Sequence, residues 1–299
     1  MPIIYYALVL RQQARDTEYL FQLLHSLYSL REQNREIPVY LHLARDPGLV
    51  TRHFLAAQLG VRCICFNGYA GLLDAFYPGA GAVLGDFPLL FKLLSLVHIR
   101  DLDPDQVLYV DPDTYFFKDP ALLLARYRDA DLYAREEAYS FGSLTGYLPE
   151  HLDQERYQAL LASEGCSYVK PFNTGVMVFN QGSWLRLLEA MPQLVEYVLR
   201  FTRDAGIADP AVPFPDAITA LPPLDYPSEN QWLREQIACW LTLGRLPGFS
   251  LEQLVPDELL QGCEEALAPG RFARPTLSHY FTRNSRAFFE QLAQENYRE

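Results

Sequence analysis

The chain has 299 residues, of which 49% are hydrophobic and 21% charged, an ordinary globular composition that gives no sign of long disorder and provides material for a large core. Its 25 basic and 37 acidic residues give a formal net charge of −12, which excludes broad binding to nucleic-acid backbones. An anionic substrate would need a local cation, either a metal ion held by carboxylates or a group of arginines.

The elements follow in chain order. Ile3 to Leu10 is a nearly continuous apolar run with several strand-forming residues, as expected of a strand buried on both faces. A run of this kind without a basic flank or a small-residue cleavage site is expected to be a first strand, not a signal peptide. Asp16 is positioned to cap a helix whose Leu20, Leu23, Leu24 and Leu27 keep the i, i+3, i+4, i+7 spacing. Pro38 to Leu43 is a predicted strand, Val50 to Leu59 a helix stopped at Gly60, and Val61 to Phe66 a third strand. Phe87 to Ile99 is a predicted apolar helix, interrupted by Lys92 and too short to span a bilayer, and Val107 to Val110 is a fourth strand. This alternation predicts an α/β fold with a mainly parallel central sheet and helices on both faces, doubly wound in the manner of nucleotide-binding proteins.

The alternation loosens after about residue 120. Phe172 to Asn180 (FNTGVMVFN) is a strand and Trp184 to about Phe201 a helix. Six prolines between residues 205 and 228 mark a long irregular segment, of the kind that covers a substrate. Trp232 to Leu243 is helical, and PTLSHYF precedes a short last helix. Residues 1–120 are expected to form one α/β half and residues 121–299 a second half, in one continuous domain. The cysteines at 63, 65, 166, 239 and 263 are sparse, odd in number and without a CxxC pair. This pattern suits reduced thiols in the cytoplasm.

Four Asp-x-Asp pairs occur: Asp101/Asp103, Asp103/Asp105, Asp111/Asp113 and Asp129/Asp131. Two carboxylates on one side of an extended segment can share a divalent cation. In an acidic chain most such pairs are solvated loop charges. Context selects one of them, because only Asp111/Asp113 directly follows a buried strand, VLYV, at the carboxyl edge where open α/β sheets bind ligands.

VLYVDPDTYFFKDP resembles the strand, Asp-x-Asp and following Asp-Pro of GT-A glycosyltransferases, especially the glycogenin and bacterial galactosyltransferase-like enzymes. FNTGVMVFN resembles their Asn-(Ala/Ser/Thr)-Gly strand, and Lys92 matches the place of their basic donor-binding residue. His279 of the His-Tyr pair matches their third metal ligand, and Glu235–Gln236 their acidic-Gln helix start near the sugar. The resemblance implies a GT-A (Rossmann-like) fold and a hexosyltransferase-like enzyme. It implies Mn²⁺ or Mg²⁺ held by Asp111, Asp113 and His279, and a UDP-linked sugar donor contacted by Lys92, Asp111, Asp113, Asn173 and Gly175. Glu235 and Gln236 take the catalytic position, with Glu229 a competing acid. The acceptor, whether saccharide, protein or lipid-linked, stays open.

One departure stands out. The tail HYFTRNSRAFF lacks the diphosphate-binding lysine of the resembled pattern. Arg283 and Arg286 are the candidates to replace it, with Arg271 and Arg274 nearby, and a solvated basic surface is the competing account. The expected location is cytoplasmic, with peripheral attachment at the inner membrane face left open and no transmembrane segment. A non-catalytic sugar-nucleotide-binding module of the same fold remains an alternative. A haloacid-dehalogenase-type phosphatase is disfavoured, since Tyr115 stands where that motif needs Thr or Val. A pyrophosphorylase is disfavoured too, since RQQARD has no glycine-rich loop.

Overall fold

A computed structural model describes residues 1–10, 14–65, 68–85, 87–136, 154–180, 182–224, 231–255, 258–261 and 276–279. Its strands are β1 (Ile3–Leu8), β2 (Val39–Leu43), β3 (Val61–Cys65), β4 (Gln106–Val110), β5 (Thr114–Phe116), β6 (Leu132–Glu136), β7 (Phe172–Asn180), β8 (Leu251–Gln253), β9 (Leu259–Gln261) and β10 (Leu277–His279). Seven of them form one sheet in the order β3-β2-β1-β4-β7-β6-β8, and β5-β10-β9 form a second, smaller one. The pairs from β3 to β4 are parallel, β7 runs antiparallel to both β4 and β6, and β8 is parallel to β6. Strands from both halves of the chain thus share one mainly parallel sheet.

Side-chain alternation along the strands divides the interior into two cores. Ile3, Tyr5, Val107, Tyr109, Met177 and Phe179 face one layer, together with Leu72, Phe91, Leu94, Trp184, Leu194 and Trp240. Ile4, Tyr6, Leu8, Leu108, Val110, Val176 and Val178 face the other, with Leu23, Leu27, Leu30, Leu55 and Leu123. The helix after β1 packs on the second face, whereas the helices between β3 and β4 pack on the first. The switch in winding therefore falls between β1 and β4, where the carboxyl ends of two parallel strands open a crevice.

Local chemistry accounts for several boundaries. The helix Leu49–Leu59 ends at Gly60, whose φ of 59° is left-handed, as the sequence predicts. Asp119 caps the helix Pro120–Arg126: its carboxylate accepts from Ala121 N at 2.8 Å, and Pro120 occupies the first turn. Some expectations need correction. Asp16 lies inside the helix Ala14–Gln33 and is not its cap. The helix expected over Phe87–Ile99 is a 3₁₀ turn at Pro88–Leu90, one α turn at Phe91–Leu94 and a 3₁₀ stretch at Ser95–Leu102. The expected 184–201 helix is two, Ser183–Glu189 and Met191–Asp204, divided where Pro192 requires a new first turn.

The described part of the proline-rich segment is tied to the helix Met191–Asp204. Arg203 donates to the Leu221 carbonyl at 3.0 Å, Arg200 to the Pro222 carbonyl at 3.2 Å, and Asp204 accepts from Leu224 N at 2.7 Å. The expected last helix lies outside the described residues. No described helix is long and apolar enough to cross a membrane.

Candidate active site

β4 is buried along its whole length, and the chain leaves the sheet at Asp111. The Asp111 amide donates to the Gly175 carbonyl at 2.7 Å, which joins the two motif strands at their ends. The Tyr109 hydroxyl donates to the Asp111 carboxylate. Pro112 and Asp113 form a turn into β5, so the two carboxylates are set by a turn and not by continued extended chain. Both aspartates are half-buried. β5 then pairs antiparallel with β10, with His279 opposite Thr114. The backbone of the expected third ligand therefore runs beside the residue that follows Asp113.

The other three Asp-x-Asp pairs have local explanations. Asp103 takes the left-handed cap of a 3₁₀ helix at φ 42°, and Asp105 pairs with the N-terminal ammonium. Asp131 accepts from Ser250 N at 2.8 Å and lies 3.3 Å from Arg186.

A second group lies buried on the first-core side of the same edge. Lys92 is presented by the single turn Phe91–Leu94, and its own carbonyl accepts from the Tyr5 hydroxyl at 2.7 Å. Lys92 Nζ donates to Thr174 Oγ1 at 2.7 Å, Thr174 Oγ1 donates to Glu235 Oε2 at 3.0 Å, and Lys92 Nζ stands 3.3 Å from the same Oε2. Glu235 belongs to the helix Gln231–Gly244, held to β7 where Trp240 Nε1 donates to the Phe172 carbonyl at 3.0 Å. Gln236, one position on, is also buried.

The charges act on one another. Burial would lower the Lys92 ammonium, but Asp111 and Glu235 outweigh it and raise its pKa. Burial raises Glu235 above the usual carboxylate range, opposed in part by Lys92 and the Thr174 hydroxyl. Burial also raises Tyr109 far above an ordinary phenol, and the Asp111 charge adds to this. Asn173 is buried and its amide oxygen accepts from Gly175 N at 2.7 Å, so that oxygen is engaged within β7 itself.

Asp111, Lys92, Gly175 and Glu235 are thus brought together from distant parts of the chain. Arg283, Arg286, Arg271, Arg274 and Glu229 lie outside the described residues. No group of three His, Cys, Asp or Glu side chains suited to a metal occurs among the described residues. Sequence reasoning missed Thr174, Tyr109 and Tyr5. For Tyr109, the i, i+2 spacing to Asp111 at a strand end was an available signal. For Thr174 there was only its place between two residues already singled out.

The fold is that of GT-A glycosyltransferases. Mouse xyloside xylosyltransferase 1, in its apo form, superimposes with a TM-score of 0.52 at 13% identity, covering 93% of this chain and 97% of its own. The galactosyltransferase LgtC, solved with donor and acceptor sugar analogues, gives 0.50 at 16% identity, covering 97% and 94%. The glycosyltransferase GlyE of Streptococcus pneumoniae TIGR4 gives 0.51 at 14% identity, covering 97% of this chain and 60% of the longer relative. No family model and no curated protein sequence matches the chain.

Proposed function

We propose that this chain is a metal-dependent, hexosyltransferase-like glycosyltransferase that moves a sugar from a UDP-linked donor to a saccharide, protein or lipid-linked acceptor. The observation that carries this reading is convergence at one sheet edge. Asp111 and Asp113 leave β4 there, β10 brings His279 opposite Thr114, and Lys92, Thr174 and Glu235 meet beneath Asp111. The sugar-transfer names of the neighbours of like fold, and the sugar analogues bound by one of them, support it further.

In this reading Asp111, Asp113 and His279 hold Mn²⁺ or Mg²⁺, and an oxygen-rich set with one imidazole suits Mn²⁺. When bound, the ion neutralises the diphosphate and so eases its departure. Lys92 adds a fixed positive charge beside Asp111, and Arg283 and Arg286 are proposed for the remaining phosphate charge. Asn173 and Gly175 border the sugar, while Glu235 accepts from a sugar hydroxyl or faces charge developing at the anomeric carbon, with Gln236 adjacent.

A panel of UDP-, GDP- and ADP-sugars, with and without Mn²⁺, tests the reading through nucleotide release by wild type and Asp113→Ala. We expect release from one donor class that requires the metal and falls about hundredfold or more in the variant. If no donor is bound or turned over by wild type, the transferase reading is wrong. Release that survives the substitution removes the metal role.

A further inference from the structure

The hydrogen bonds around Thr174 run in one direction. The hydroxyl is 1% exposed. An ammonium can only donate, so Thr174 Oγ1 accepts from Lys92 Nζ at 2.7 Å, which commits its one proton to Glu235 Oε2 at 3.0 Å. Lys92 itself stands 3.3 Å from that same oxygen. Oε2 is therefore held twice, by a neutral donor from β7 and a cation from the turn Phe91–Leu94. Oε1 of the same carboxylate is buried with no hydrogen-bond partner among the described residues.

A buried carboxylate with one oxygen doubly held and the other unmatched is a fixed acceptor awaiting a donor. Three torsions separate a glutamate's carboxylate from its backbone. Without the Thr174 hydroxyl, Oε1 and Oε2 could exchange places around Lys92. With it, β7 sets which oxygen is left unmatched.

We infer that Thr174 is a positioning residue: its hydroxyl locks Glu235 so that Oε1 is offered to a hydroxyl of the donor's sugar. This rests on the transferase reading above. It assigns Thr174 to recognition of the sugar, because its one proton goes to Glu235, while the charge that Lys92 sets beside Asp111 does not depend on the hydroxyl.

The test compares Thr174→Val, which keeps the shape and removes the hydroxyl, with Thr174→Ser, which restores it, and with Glu235→Gln alone and combined with Thr174→Val. Calorimetry with Mn²⁺ measures the affinity of the nucleotide sugar turned over in the donor panel and of UDP as the sugarless probe, and kinetics give kcat and KM. Thr174→Val should weaken the nucleotide sugar by about tenfold, as expected for one hydrogen bond to a charged group, and leave UDP unchanged. Thr174→Ser should recover most of the loss, and Thr174→Val should add little in the Glu235→Gln background. Equal loss of UDP and nucleotide sugar, or full additivity in the double variant, would overturn the inference. Should Thr174→Val fail to fold, Thr174→Ala carries the same comparison. Absence of donor turnover in wild type would instead be the failure of the transferase reading, visible before any variant is made.

Discussion

Lys92 carries the electrostatics of the site because it is a buried cation with a carboxylate on either side. Its side chain is 10% exposed and that of Glu235 1%, so water screens the pair weakly. Lys92→Met keeps much of the volume but leaves Glu235 and Asp111 facing a common space with no counter-charge. Breaking a buried pair from one side costs about 3–5 kcal/mol, and we expect a loss of that order for Lys92→Met in urea or guanidinium unfolding. A loss within about 0.5 kcal/mol, the range of surface changes, would show that the charges are solvated. At this scale the sequence was legible where a residue carried charge at a recognisable place, as with Lys92, Asp111 and Glu235. Thr174 was not legible as a partner. Its hydroxyl has no spacing signature, because its role depends on groups 82 and 61 positions away in the chain.

Among the elements, β1, β2, β3, β4 and β7 of the main sheet were readable from apolar runs, and the helix after β1 from its period. The unread ones are β6, five residues long, and β5, β8, β9 and β10, each three residues long. A three-residue strand has no period, and its existence depends on a distant partner. Yet the β5–β10 pair brings the backbone of His279 opposite Thr114, beside the Asp111/Asp113 turn, so an element bordering the candidate site was among the least visible. The helix Gln231–Gly244, which supplies Glu235, is fixed at its far end by a tight backbone approach. Gly244 O accepts from Ser167 N at 2.8 Å, and a Cβ on Gly244 would lie 2.6 Å from the Ser167 carbonyl oxygen and 3.1 Å from Cys166 Cβ. The obstacle is backbone, which cannot rotate away. Gly244→Ala should therefore destabilise by about 1–3 kcal/mol in spite of alanine's better helix propensity. A gain in the urea midpoint would show that residues 163–167 yield readily.

For the molecule as a whole, two cores cover both faces of one sheet, and the carboxyl ends of its central strands are closed by polar groups in a largely apolar setting. His42, at the end of β2, is fully buried there, its ring 4.8 Å from that of Tyr5 and 5.5 Å from that of His98. Burial, and to a lesser degree His98, lowers its pKa from 6.5 to about 3. The sign follows from linkage: the folded state keeps this imidazole neutral while the unfolded chain protonates it below pH 6.5. Its contribution to stability is thus present above pH 6.5 and lost as pH falls towards 3. Between those values this group alone lowers stability by up to about 1.4 kcal/mol per pH unit. His25 and His98 are lowered by burial as well and act in the same direction. His42→Gln removes one titrating group without introducing a charge, so the difference in slope between variant and wild type isolates it, whatever the variant's stability at neutral pH. We expect unfolding free energy measured from pH 7 to pH 4 to fall less steeply in His42→Gln. Parallel slopes would mean that His42 is reached by water and protonates in the native state, which would make the packing around Tyr5 and His98 wetter than its burial implies.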